Sequence, residues 1–242
     1  MEIRERKQEK KKASEQGAIM QEIFEYEHPF VCTDAVIFTI QTKEPSSYRK
    51  LPEANLRVLL YQRESEPFKD TWCLPGGFLD IDELPEVNIQ RKLFAKTEVD
   101  DCWLEQLYTF CDPKRDPRAR VISLAYLGLM DEERSKEFES KAKWFDTKEL
   151  SQINFGFDHR NITEVALERL QSKIQYTNIA LHLLPKEFTL TQLQNVYEAI
   201  LGKKDQAANF RRKVMNMVQE TERYTADKGH RPAKLYIKKR QD

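Results

Sequence analysis

The chain has 242 residues with 40 Lys or Arg and 40 Asp or Glu, so its formal charge at pH 7 is zero. That length predicts one or two domains with ample chain for a core, and no apolar run approaches the ~18 residues that a bilayer span requires. The zero conceals an asymmetry: Lys186 to Asp242 holds thirteen Lys or Arg against seven Asp or Glu, a surplus of +6 balanced by −6 on residues 1–185.

A basic tail on an acidic body implies a polyanionic partner. The N-terminus carries charge where a signal peptide has its apolar core, so the expected location is the cytoplasm. Cys32, Cys73, Cys102 and Cys111 form no CxxC pair and sit mostly in or beside apolar runs. They read as reduced core residues rather than metal ligands.

Residues 1–27 open with MEIRERKQEKKK and read as a peripheral charged extension, frayed or helical. Strand patterns follow at Val31–Ile40, Val58–Arg63, Leu104–Phe110 and Ile122–Met130. The aperiodic interval Thr42–Asn55 reads as a loop. A helix is predicted over Arg160–Lys173, where Ile162, Val165, Ala166, Leu167 and Leu170 recur at helical spacing. This mixture predicts an α/β sandwich core, not an alternating doubly wound sheet.

Between the strands lies PFKDTWCLPGGFLD (Pro67–Asp80), running into GFLDIDELPEVNIQRKLFAKTEV (Gly77–Val99). Gly76 and Gly77 read as a bend with positive φ. The string resembles the entry and box of the Nudix family: Gly77, Glu83, Arg91, Leu93 and Val99 stand on the box register. Lys92 stands in place of the first helical Glu, Ala95 and Lys96 in place of the Glu pair, and Glu98 in place of the second Gly. A metal-dependent pyrophosphatase needs carboxylates on that helical face to hold Mg²⁺ or Mn²⁺ against a diphosphate. Lys92, Ala95 and Lys96, with Arg91 adjacent, offer no acceptor oxygen there, so no metal site is expected. The charge still suits a phosphate-bearing ligand.

Asp112–Ser123, DPKRDPRARVIS, sets Arg115, Arg118 and Arg120 in a turn-rich string before a strand. These guanidinium forks either face a pocket mouth or decorate a solvated hairpin. In the C-terminal third, Leu184–Gly202 reads as an amphipathic helix with Thr191 as N-cap, Gln194 three residues later and Gly202 as stop. A second helix follows over Gln206–Gln219, with Asp205 as N-cap and a buried stripe of Phe210, Val214 and Met217. Its opposite face carries Asn209, Arg211, Arg212, Lys213 and Asn216. Glu220–Thr225 and Lys234–Lys239 can pair as strands around a tip bearing Lys228, His230 and Arg231. Helix, turn, basic helix and basic hairpin is the order of a winged helix-turn-helix, and a solvated cap without a nucleic-acid role is the alternative.

Arg115–Leu129, Phe155–Ile174, LPKEFTLTQLQNVYEAILG and NFRRK all resemble one branch of Nudix-like proteins, the NrtR family of Nudix-related transcriptional regulators. The likeness spans nearly all of the chain after residue 28. It implies a Nudix-like α/β/α sandwich with a mixed sheet over residues 28–174 and a winged-helix DNA-binding domain over 175–242. The effector it implies is ADP-ribose or a sugar, with no cofactor required.

On this expectation the effector sits among Arg63, Gly76, Gly77, Phe78, Glu83, Arg91, Arg118 and Arg120. Asn209 and Arg212 read base edges, with Asn216 beside them, while Arg211, Lys213, Lys228, His230 and Arg231 lie against the backbone of operator DNA. A homodimer on a palindrome is expected, because one winged helix has little contact surface. Two rivals remain open: an active Mg²⁺-dependent ADP-ribose or nucleoside-diphosphate-sugar pyrophosphatase, and a ligand-binding protein whose basic tail contacts RNA or protein.

Overall fold

A computed structural model describes residues 27–43, 53–135, 141–226 and 232–239, and β1 (Phe30–Lys43) runs through the centre of its main sheet. Every residue from Cys32 to Ile40 is buried, as expected of a strand covered on both faces. The faces separate by parity: Val36, Phe38 and Ile40 join one apolar cluster, Ala35 and Ile37 another. β2 (Glu53–Gln62) flanks β1 antiparallel, and β6 (Val121–Leu129) flanks it parallel. β5 (Trp103–Phe110) edges β6. The short strands β3 (Trp72–Cys73), β4 (Gly76–Phe78) and β7 (Ala142–Asp146) complete a mixed seven-stranded sheet.

One face of the sheet carries α1 (Pro85–Thr97), which buries Ile89 and Leu93 in the Ala35–Ile37 cluster. Pro85 in its first turn and Glu86 beside it suit a helix start. The opposite face carries α2 (His159–Lys173) through Ile162, Ala166 and Leu170. A 3-10 turn at Ile179–Leu183 then leads to α3 (Leu190–Leu201), whose Leu193, Val196, Tyr197 and Ile200 enter that same cluster. α4 (Ala207–Val214), β8 (Val218–Tyr224) and β9 (Lys234–Lys238) follow, adding Phe210, Val214, Val218 and Tyr236. The helix-turn-helix and its hairpin are thus continuous with the sheet's own core. Among the described residues, no helix is long and apolar enough to cross a membrane.

Several sequence expectations are corrected. The cap of α3 is Thr189, in a reciprocal box with Gln192, not Thr191. Starting there places Phe188 before the cap and Leu193 at the fourth helical position, both buried, whereas a Thr191 cap would put Asn195 at that position and forfeit the apolar staple. α4 is shorter than predicted and starts after Gln206. The Asp205 main chain is tied back to α3 by Glu198 and Gln194, and buried Val218 already begins a strand.

Gly76 and Gly77 do not adopt positive φ; they lie in β4, paired with Thr33 and Asp34. A Cβ at Gly76 would meet Thr33 O at 2.2 Å, so close approach, not a turn, requires glycine there. Strand structure reaches Lys43 and resumes at Glu53, narrowing the predicted loop, whose residues 44–52 lie outside the described set. The N-terminal extension up to residue 26 lies outside it too. Cys32 and Cys73 are buried as expected, but Cys111, just past the end of β5, is exposed.

Candidate functional site

β1, β4, α1, the 111–120 loop and the start of α2 meet around a cleft of 290 Å³. Asp34 lies at its floor, where Ser123 Oγ donates to Oδ2 at 2.6 Å and Arg115 Nη2 approaches at 3.4 Å. Arg115, its side chain 3% exposed, also donates to Asp158 at 2.8 and 3.0 Å. Burial works against the guanidinium's charge, but its bonds to Asp158 and the charge of Asp34 outweigh it and raise the Arg115 pKa. His159 Nδ1 accepts the Leu74 N–H at 3.0 Å, so its proton sits on Nε2, 3.7 Å from Asp34. Burial lowers the His159 pKa and keeps the ring neutral. The floor is therefore a locked network joining β1, the 111–120 loop and α2.

The rim is aromatic and cationic. Arg118, held by Asp116 at 2.7 and 2.9 Å, lies over the rings of Phe78 and Phe157 with centroids 5.5 and 5.6 Å away. Arg63 covers Phe157 at 5.1 Å and is fixed by its Nε donating to Pro67 O at 2.6 Å. Phe157 occupies the left-handed region at φ 53°, a conformation costing a phenylalanine roughly 1 kcal/mol or more. Tyr61, its phenol pKa pushed up to about 12 by burial, Lys92 and Lys96 complete the wall. Of the residues expected around the effector, Arg63, Gly76, Gly77, Phe78 and Arg118 line this cleft.

Glu83, Arg91 and Arg120 are not among the lining residues. Arg91 donates to both Glu83 oxygens at 2.6 and 2.7 Å and to Asp80 at 2.7 Å. The Arg91 bonds, then the Asn88 amide, hold the Glu83 pKa down at about 2. This pair pins the loop before α1. Arg120 donates to Cys111 O, closing the base of its own loop.

A divalent metal does not fit the face of α1 that meets the cleft, since Lys92 and Lys96 provide ammonium groups and Ala95 nothing. The nearby carboxylates are not gathered either. Glu86 accepts from Tyr126 OH at 3.3 Å, Arg134 holds Asp101 at 2.9 Å, and the backbone of Glu98 caps α1 at φ 61°. Among the described residues, no group of three His, Cys, Asp or Glu stands in place to hold a metal ion.

Sequence reading missed Asp34, Arg115 in its floor role, Phe157, Asp158 and His159. One signal was present: Asp34 is a carboxylate inside an otherwise apolar strand, and such residues are seldom buried without a partner.

The second candidate surface is α4. Phe210 and Val214 are buried, while Asn209, Arg211, Arg212, Lys213 and Asn216 are exposed. Arg212 Nη2 donates to Asn209 Oδ1 at 3.2 Å, placing the two predicted base readers side by side. Lys213 lies over the Tyr197 ring at 4.8 Å, and Arg211 is 4.0 Å from Glu220. Lys228, His230 and Arg231 fall outside the described residues.

Two family models match the chain: the NUDIX domain over residues 51–165 and the NrtR DNA-binding winged helix domain over 180–237. Fold and sites thus define a Nudix-type α/β domain joined to a winged helix. The "ADPR responsive transcriptional repressor NtrR" of Acinetobacter baylyi is 32% identical over 234 residues, 93% of this chain and 88% of that protein. The Shewanella oneidensis NrtR crystallised with a 27mer DNA matches with a TM-score of 0.74 at 36% identity, over 86% of this chain and 93% of that one. The ADP-ribose pyrophosphatase of Methanocaldococcus jannaschii is 29% identical over 139 residues, 57% of this chain and 72% of that protein. Because the first two likenesses run through both domains, the chain belongs to the NrtR family of Nudix-related transcriptional regulators.

Proposed function

We propose that this protein is a cytoplasmic transcriptional repressor whose hold on operator DNA is controlled by ADP-ribose, or a closely related ligand, bound in the cleft. The observation that carries the reading is the cleft's charge. Arg63, Lys92, Lys96, Arg115 and Arg118 line it against the carboxylates Asp34 and Asp116, between aromatic walls at Phe78 and Phe157. Such a site draws an anionic ligand and offers its base or ring a stacking surface. Residues 28–174 form the sensing domain and 175–242 the DNA-binding one. In the latter, Asn209 and Arg212 read bases, and Arg211, Lys213, Lys228, His230 and Arg231 hold the backbone, with Asn216 at the edge. Two copies bind a palindrome.

Control requires the ligand to bind the DNA-competent and DNA-incompetent arrangements with different free energies. α2 is the element placed to carry that difference. Its start is fixed to the cleft floor through Asp158 and His159, and near its end Gln171 Nε2 donates to Ile200 O of α3 at 3.0 Å. The test is a mobility-shift assay with DNA from upstream of the protein's own locus, repeated with ADP-ribose, NAD and pentoses. The expected result is a retarded complex that ADP-ribose dissolves. Absence of any such complex, together with Mg²⁺-dependent turnover of ADP-ribose, would instead establish a hydrolase.

A further inference from the structure

We propose that the Lys92 and Lys96 ammonium groups hold the ligand's diphosphate directly, in the role a divalent cation plays elsewhere on this fold, so that the effector is diphosphate-bridged and binds without metal. This rests on reading the cleft as the effector site. Lys92 and Lys96 are four residues apart on α1 and so share one helical face, and both line the cleft. Glycine at 77 leaves a lane for the Lys92 stem, since a Cβ there would come within 3.1 Å of its Cδ and Cε. Across the cleft, Lys96 Nζ stands 5.0 Å from the Tyr61 ring centroid.

The decisive feature is what these two cations lack. Arg115 and Arg118 are bound to carboxylates at 2.8 and 2.7 Å. Lys92 and Lys96, among the described residues, have no carboxylate within the 4.0 Å of an ion pair, and Glu64, which feels the Lys96 charge, is bonded to Lys141 at 2.6 Å. Each ammonium has three donors, and together they supply the double positive charge of one divalent ion. The same charge repels such an ion, and the face offers no oxygen to coordinate it. A neutral pentose offers two ammonium groups only uncharged hydroxyl oxygens, whereas a diphosphate offers each an anionic oxygen and so a stronger, charge-assisted bond.

The experiment is calorimetric titration of the full chain with ADP-ribose and with ribose, in EDTA and in Mg²⁺. ADP-ribose is expected to bind equally tightly in both buffers, and ribose far more weakly in either. Lys92→Gln with Lys96→Gln is expected to weaken ADP-ribose by about tenfold or more, the worth of charge-assisted hydrogen bonds. Lys92→Glu with Lys96→Glu is expected to abolish binding in EDTA and regain part of it in Mg²⁺. Lys96→Gln alone, at an exposed position, carries the test if a double variant does not fold. Loss of native binding in EDTA, or a Gln variant that binds like the native chain, would overturn the proposal and leave the effector reading standing. Failure of the native chain to bind ADP-ribose in either buffer would remove the effector reading, and this inference with it.

Discussion

Arginines are held differently in the cleft and on α4. In the cleft, Arg115 is buried between Asp158 and Asp34, Arg118 is gripped by Asp116 across two aromatic rings, and Arg63 is fixed to the Pro67 carbonyl. On α4, among the described residues, Arg212 bonds only an uncharged amide and Arg211 stands 4.0 Å from its carboxylate. The cleft holds its guanidinium groups pre-positioned, which lowers the ordering cost of binding a small ligand. The helix leaves its cations available to many phosphates, which suits a surface that must engage and release DNA.

The comparison can be broken most sharply at Arg115. Arg115→Ala leaves Asp34 and Asp158 without their counter-charge and is expected to destabilise the protein by about 3–5 kcal/mol. Arg118→Ala, at a side chain 44% exposed, is expected to cost under about 1 kcal/mol. Urea unfolding reads both, and equal costs would show that the floor is not the locked part.

On the DNA side, Arg212→Ala is expected to weaken specific binding by roughly 1–3 kcal/mol and to relax preference at one base position. Lys228→Ala is expected to weaken all sequences alike and lower the salt slope by about one. Anisotropy titrations at several salt concentrations separate the two. A stabilising change is expected at Glu98, which caps α1 at φ 61°: Glu98→Gly removes a left-handed non-glycine and is expected to add about 1 kcal/mol. No rise in the unfolding midpoint would mean that the cap is unstrained.

The last effect vanishes near neutrality. Burial lowers the His159 pKa below 6.5, and burial followed by the Lys238 charge lowers that of His182 to about 4. Below pH 6.5 the unfolded chain therefore binds protons that the folded one refuses, and stability falls as pH drops toward 4. His182→Phe, which keeps the ring stacked on Trp103, is expected to flatten that fall in thermal melts. An unchanged slope would remove His182 from the account.

How much could be read beforehand followed from how local the signals are. The long strands and α2 were visible because apolar periodicity survives in Val31–Ile40 and Ile162–Leu170. β3, β4 and β7 span two to five residues, too few for a pattern. Two threonines compete for the α3 cap, and the burial of Phe188, which the local sequence does not display, decides between them. Register on the box identified the Lys92–Lys96 face but could not reveal that Arg91 and Glu83 neutralise each other away from the cleft. The floor network hydrogen-bonds residues up to 89 positions apart, so proximity along the chain offers no hint of it beyond the lone Asp34.

Cleft and α4 are expected to be thermodynamically coupled. Reciprocity makes this coupling measurable in one closed cycle: the affinity for ADP-ribose, free and on operator DNA, and the affinity for DNA, without and with ADP-ribose. ADP-ribose is expected to bind the DNA-free protein more tightly, by the same factor that it weakens DNA binding. Equal ADP-ribose affinity in the two states would contradict the coupling.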